Sequence, residues 1–314
     1  MRPAYSIVLF TTASGAGYGM LAWLGILGVA GRLPTTTPFG LAAFALAIAL
    51  VSLGLIASTF HLGHPERAWR AFSQWRSSWL SREGVAAVAA FVPIALYGGG
   101  WVLLGRTDGP WALAGLGTAG MALLTVYCTS MIYGSLKSVP AWHNGWVPPA
   151  YLVLSLASGG VLLGAVAGLT AEVPAVLTRL TLLALAAGLA VKVGYWRHID
   201  RPNNASTAES ATGLGRIGAV RPLLSPHTAD NWVLREMGYR VARRHARALR
   251  RIVVILGFVL PLLATAAVLV AVELAGALTV VATVSLGAGF VVERWLFFAE
   301  ARHVVTLFYG EQRT

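Results

Sequence analysis

FGLAAFALAIALVSLGLIASTF, residues 39–60, is 22 residues long and has no charged side chain. At about 1.5 Å of rise per residue, roughly 20 mostly apolar residues cross the hydrocarbon layer of a bilayer as a helix. Seven more runs of that kind lie at about 6–30, 84–104, 111–136, 147–169, 175–196, 252–272 and 277–298. The first follows one arginine, as a secretory signal would. It is long enough to span, and no small-residue cleavage site followed by a soluble domain comes after it, so it reads as the first helix. The expectation is an all-α, polytopic integral membrane protein with eight transmembrane helices, 1–314 being one membrane domain.

Composition agrees. Of the 314 residues 57% are hydrophobic and 11% charged, against roughly 25% charged in soluble domains. The net charge of +12 is explained by topology rather than by nucleic acid, which is not expected as a partner. With eight spans, one side holds both termini and the loops 61–83, 137–146 and 197–251, and it carries nineteen of the 24 lysines and arginines. The other side, with turns near 31–38, 105–110, 170–174 and 273–276, has Arg32 and Arg106, while Arg179, Lys192 and Arg294 fall near span ends. Basic loops stay in the cytoplasm. Both termini are therefore expected there, in a bacterial inner membrane.

The segment 197–251 is the one extended part outside the spans. RPNNASTAESATGLG (201–215) reads as loop. From about Thr228 the sequence turns basic and helical, ending RVARRHARALRR (240–251), with Leu234, Met237, Val241 and Leu249 near helical spacing. Such a helix suits the interface with anionic membrane lipid, or a ledge for a soluble partner. Glycines such as Gly15, Gly17, Gly19, Gly159 and Gly160 let helices approach closely.

Several chemistries are excluded. The single cysteine, Cys128, permits neither an internal disulfide nor an iron–sulfur cluster. No span has an ionisable residue near its midpoint, which argues against an ion-coupled transporter. All seven histidines lie at the basic face, so a pair of haems stacked across the bilayer lacks ligands, and no metal site is expected. What remains is the connection STFHLGHPERAWRAFSQWRSSWLSREG, residues 58–84. Its tryptophans fit the interfacial aromatic belt and its arginines fit topology. His61 and Glu83 stand out, each where a helix meets the interface. A histidine and a carboxylate at the hydrocarbon edge suit a quinone headgroup, which exchanges hydrogen bonds and protons while its tail stays in lipid. Lys137, Trp142, His143 and Trp146 follow Tyr133 at the same depth. Glu293 and Arg294 lie about one turn below that face, as an ion pair or a proton route.

HLGHPERAWRAFSQWRSSWLSRE (61–83), SVPAWHNGW (138–146) and VVERWLFFAEARH (291–303) resemble the membrane-anchor subunits of the dimethyl sulfoxide reductase anchor family, a resemblance that extends over essentially the whole sequence. MRPAYSIVLFTTASGAGYG (1–19) and STAESATGLGRIG (206–218) are most similar to anchors of cytoplasmic sulfite-oxidising complexes within it. The resemblance implies a haem-free membrane anchor that holds an iron–sulfur subunit and a molybdopterin subunit and exchanges electrons with quinone, ubiquinone or menaquinone. It ties the HLG histidine, here His61, and the glutamate shortly before the third span, here Glu83, to quinol. The quinone site is then expected among His61, Glu83, Thr11, Ser14, Tyr18, His64, Trp79, Arg82 and Tyr133. Protons are expected through Glu293 and Arg294, and partner docking on Arg67, Arg70, Arg76, Trp142, His143, Arg243 and Arg244. In dimethyl sulfoxide reductases the histidine-bearing face is periplasmic. Here it carries the arginines, which favours cytoplasmic partners that oxidise sulfite. The rival readings are a quinol-oxidising anchor of a reductase, a transporter, and a structural anchor without quinone.

Overall fold

The computed structural model describes residues 3–60, 62–201, 206–221, 223–224, 237 and 241–313. Among them the secondary structure is helical, and eight helices are long and apolar enough to cross a membrane. Six are α1 (Tyr5–Val29), α2 (Thr37–Thr59), α3 (Trp79–Leu104), α4 (Pro110–Gly134), α5 (Val147–Thr170) and α6 (Ala175–Ile199). After a short α7 (Ala208–Thr212), the seventh span, Arg243–Ala267, consists of α8 (Val241–Val254), a π-helical turn (Ile255–Val259) and α9 (Leu260–Ala267). The eighth is α10 (Ala275–Glu300). Prolines open α2, α4 and α5 within their first two positions, where the missing N–H has no intrahelical use.

Three expectations are corrected. The third span starts at Trp79 rather than at 84, so Glu83 lies inside the helix rather than before it. The seventh starts at Arg243 rather than at 252, because an arginine-rich interfacial turn is still helix. Part of the expected loop 201–215 is the short α7. There Thr207 and Ser210 form a reciprocal capping box, Ser210 N–H donating to Thr207 Oγ1 at 3.2 Å and Thr207 N–H to Ser210 Oγ at 2.9 Å. Of the interfacial helix expected from Thr228, 228–236 and 238–240 lie outside the described residues, and 241–251 are helical.

The spans pack as two groups of four. Helix α1 contacts α2 and α4, α2 contacts α3, and α3 contacts α4. In the second group α5 contacts α6 and α10, and the seventh span contacts both α6 and α10. The groups meet mainly through α1, which packs on α5, with α4 and α2 also touching α5 and α10 reaching α1. Outward residues such as Leu41, Val92, Leu113 and Leu183 are exposed, as lipid-facing side chains are.

The α1–α5 seam is close backbone packing. A Cβ on Gly19 would strike the Ser155 carbonyl, and one on Gly159 would strike the backbone of Gly19 and Met20. Ser155 Oγ donates to the Gly15 carbonyl at 2.5 Å, and Trp23 Nε1 to the Leu156 carbonyl at 2.8 Å. Gly159→Ala should therefore cost about 1–3 kcal/mol through overpacking. Gly120→Ala, where a Cβ meets nothing within 4 Å, should be neutral. Melting of the detergent-solubilised protein compares them, and equal melting points would refute the close-packed seam.

Pro261 explains the π turn. It has no N–H for a carbonyl one turn back, and its ring crowds that turn. A wider turn relieves the crowding and leaves the Leu256 carbonyl short of a donor, which Ser285 Oγ supplies from α10 at 2.8 Å.

The basic ends gather on one side. The C-terminal segment pairs with the loop after α6 through Ala208 N–H to the Gln312 carbonyl at 3.2 Å, and Val304 N–H donates to the Ser138 carbonyl at 2.9 Å. Arg250 clamps Asp200 through two nitrogens at 2.6 and 3.0 Å and Glu300 through Nε at 3.0 Å, tying the sixth, seventh and eighth spans together at that face.

Candidate functional site

A narrow pocket opens where the two helix groups meet. Its walls are Thr11, Ser14 and Tyr18 of α1, Val126 and Thr129 of α4, Tyr151, Leu154, Ser155 and Ser158 of α5, and Phe290, Glu293 and Arg294 of α10. It contains about 430 Å³ of space, mouth included, of which about 30 Å³ admits the centre of a water molecule. That is a slot with room for about two waters. It lies toward the basic face: Thr11, Glu83, Thr129, Tyr151 and Glu293 are each within seven residues of the end of their helix there.

Most hydroxyls on the walls are turned into their own helices. Thr11 Oγ1 donates to the Ile7 carbonyl at 2.9 Å, Ser14 Oγ to Phe10 at 2.6 Å and Ser158 Oγ to Leu154 at 2.9 Å. Tyr18 and Tyr151 differ: both are buried, and among the described residues neither hydroxyl makes a well-formed hydrogen bond, with Thr125 near the first and Arg294 near the second. A buried polar group without a partner is costly, so this is where a ligand's oxygen or a water is most useful.

Glu83 is 5% exposed and stands behind the α4 wall. Thr129 Oγ1 lies 2.6 Å from Glu83 Oε1 and 3.0 Å from the Thr125 carbonyl. The hydroxyl has one proton. It donates to an ionised Glu83. A protonated Glu83 instead donates to Thr129 Oγ1 while the hydroxyl turns to Thr125. Both protonation states of Glu83 are hydrogen-bonded without any backbone movement.

On α10, Glu293 is 1% exposed and its oxygens are divided between two cations. Lys192 Nζ of α6 lies 2.5 Å from Oε1, and Arg294 Nη2 lies 3.1 Å from Oε2. The Arg294 guanidinium lies over the Tyr151 ring at 4.1 Å, and Lys192 lies over Tyr195 at 4.3 Å. The ion pair read from the sequence is present, but as a triplet about two helical turns deep rather than one.

The expected site residues divide into three places. Thr11, Ser14, Tyr18, Glu293 and Arg294 come together on the slot, so the expected quinone site and proton route share one space. Tyr133 is one layer behind it, its ring stacked on Tyr151 at 5.9 Å. Trp79 and Arg82 do not join: they line an outward groove between α3 and α4 with Trp75, Tyr127 and Cys128. Arg82 holds the loop there, donating to the Trp75 and Arg76 carbonyls at 2.9 and 2.7 Å with its guanidinium 4.2 Å above Trp79. His64 is exposed, with Nδ1 3.0 Å from Glu66 Oε1, and is not on the slot. His61 lies outside the described residues.

Of the expected docking residues, Arg67, Arg70, Arg76, His143 and Arg244 are exposed and Arg243 partly so. Trp142 is turned inward at 5% exposure, its Nε1 donating to the Phe297 carbonyl at 3.1 Å and its ring stacked on Phe297. Its bulk packs the interior and leaves His143 at the surface. Thr129, Tyr151, Ser155 and Lys192 were not singled out from the sequence as site residues. Three of them sit in apolar or glycine-rich runs where a hydroxyl reads as packing. Lys192 had a signal, being a lone lysine in a long apolar run.

The family described as DMSO reductase anchor subunit (DmsC) matches residues 1–310. The protein is 33% identical to the C subunit of sulfite dehydrogenase from Allochromatium vinosum, over 98% of its own length and 99% of that relative's. It is 34% identical to the C component of the anaerobic dimethyl sulfoxide reductase of Escherichia coli over 118 residues, 37% of its own length and 40% of that relative's. The YnfH component of an anaerobic dimethyl sulfoxide reductase of Escherichia coli is 33% identical over 37% of this protein and 41% of its own length. No solved structure matches the sequence.

Proposed function

Because the chain belongs to the DMSO reductase anchor subunit family, we propose that it is the quinone-binding membrane anchor of a molybdopterin and iron–sulfur oxidoreductase, passing electrons from sulfite oxidation to membrane quinone. The observation that carries this reading is the slot itself. It lies toward the basic face, between two helix groups, with the switchable Glu83–Thr129 pair behind one wall and Glu293 with Arg294 on another. Similarity runs along the full length of the sulfite dehydrogenase relative, against a little over a third of the protein for the dimethyl sulfoxide reductase relatives. That difference favours sulfite oxidation over quinol oxidation by a reductase.

The residues present fit a quinone headgroup. The slot as it stands takes about two waters, so a planar ring enters by widening it between the helix groups; Tyr18 and Tyr151 offer hydroxyls without well-formed hydrogen bonds, and Glu83 is hydrogen-bonded in either protonation state. Bound quinone supplies an acceptor of two electrons and two protons. Glu83 holds a proton at its carboxyl oxygen and releases it as Thr129 rotates to donate. His61 assists at the interface, and Glu293 with Arg294 keeps the inner end of the slot polar for water-borne protons. Both termini are placed in the cytoplasm on this reading, which the arginine bias supports. The iron–sulfur and catalytic subunits dock there on Arg67, Arg70, Arg76, His143, Arg243 and Arg244, beside anionic lipid of the inner membrane.

The test is subunit dependence. Sulfite oxidation with a water-soluble artificial acceptor should survive removal of this anchor from the complex, while reduction of a short-chain quinone should stop. Equal quinone reduction by the partner pair alone would overturn the reading.

A further inference from the structure

The two cations beside the slot have one counter-ion. Lys192 and Arg294 both pair with Glu293, and among the described residues neither has another carboxylate in ion-pair range. Glu300, two turns further along α10, is engaged by Arg250. The aromatic faces beneath the cations, Tyr151 and Phe297 for Arg294 and Tyr195 and Trp196 for Lys192, supply attractive potential but no charge. All three ionic groups are at most 5% exposed. Within this triplet one positive charge is in excess, in a place where an unbalanced charge is expensive; the nearest balancing charge is two turns along α10, where the single cation Arg250 is shared by Asp200 and Glu300. Arg294 lines the slot, so the excess faces the space a ligand enters. Behind the α4 wall of the slot, Glu83 is hydrogen-bonded to the neutral Thr129 hydroxyl and lies in ion-pair range of neither cation.

We infer that the slot is an anion site: it holds a planar headgroup more tightly when that headgroup carries one negative charge, with Arg294 facing the charge and Lys192 keeping Glu293 from cancelling it. This rests on the quinone reading and assigns a charge state to it, of the sign that an arriving electron brings. Arg294 is a binding residue on this account, and Lys192 a positioning residue that acts through Glu293.

The experiment uses the whole purified complex and two competitive probes, a hydroxynaphthoquinone ionised at neutral pH and its methyl ether. The ionised probe should bind at least about tenfold more tightly, because a buried charge pair in a low-dielectric site is weakly screened. In wild-type complex, that preference should disappear as pH falls through the probe's own ionisation. Arg294→Gln should reduce it to within about threefold, and Arg294→Lys should restore it. Co-purification of the anchor with both partner subunits, at an unchanged melting temperature, reports that each variant is folded and assembled. Equal binding of the two probes to the wild type, or an undiminished preference in Arg294→Gln, overturns the anion site while leaving the quinone reading intact. Failure of both probes to compete with quinone overturns both.

Discussion

Glu83→Gln abolishes quinone-linked turnover, by about 100-fold or more, and leaves turnover with an artificial acceptor unchanged. The substitution keeps shape and keeps a hydrogen bond to Thr129 in either sense, so the helix packing around it is undisturbed. What it removes is the ability to take and give a proton, a contribution of about 10²–10⁴ in rate for a positioned acid or base. The loss should therefore appear in kcat, with KM for quinone little changed. His61→Ala should lose quinone turnover in the same selective way. Full quinone activity in both variants would mean that the reaction takes place elsewhere in the protein.

Glu293→Ala should destabilise the protein more than any other single substitution in the slot. It deletes the shared counter-ion of Lys192 and Arg294 in a fully buried place. Removing one partner of a buried ion pair costs about 3–5 kcal/mol, because the charge left behind is uncompensated, and here two are left. The complex should melt roughly 5 °C or more lower, or the subunit should fail to accumulate. Adding Lys192→Met to Glu293→Ala should recover part of the loss, since one of the stranded charges goes with it. A variant that melts with the wild type, or a double variant worse than the single one by the full cost of a second mutation, would show that the triplet contributes nothing as a unit.

The eight spans were legible because membrane crossing is a matter of run length, and 39–60 or 147–169 can be read from residue type alone. Helix starts were less legible where interfacial turns are helical and charged. Trp79–Glu83 looks like loop by polarity and 240–251 like an interfacial helix separate from the seventh span, yet at the interface their arginines reach water while the backbone of the span continues. The site was legible in part. Tyr18 was expected with Thr11 and Ser14 at the quinone site and Glu293 with Arg294 as an ion pair or proton route, and they do face one space. That Thr129, Ser155 and Lys192 belong with them depends on which faces of α4, α5, α6 and α10 converge, and helix pairing is not written in local pattern. Trp142 misled because a tryptophan beside a basic face looks interfacial. Its indole N–H finds the Phe297 carbonyl inside, and that bond, invisible in the sequence, decides its direction.

The seam between the two helix groups has a consequence for how long the protein lasts in a cell. A molecule lodged between α1, α4, α5 and α10 touches both groups at once, so separating them first requires expelling it. Occupancy then adds RT ln(1 + [L]/Kd) to cohesion, about 2.7 kcal/mol at a hundredfold excess over Kd. Quinone supply and lifetime become one variable. On the quinone reading, a membrane rich in quinone keeps the anchor closed, and a depleted one leaves the direct helix contacts, with the Gly19–Gly159 seam at their centre, to hold the groups, the protein being correspondingly more open to membrane proteases.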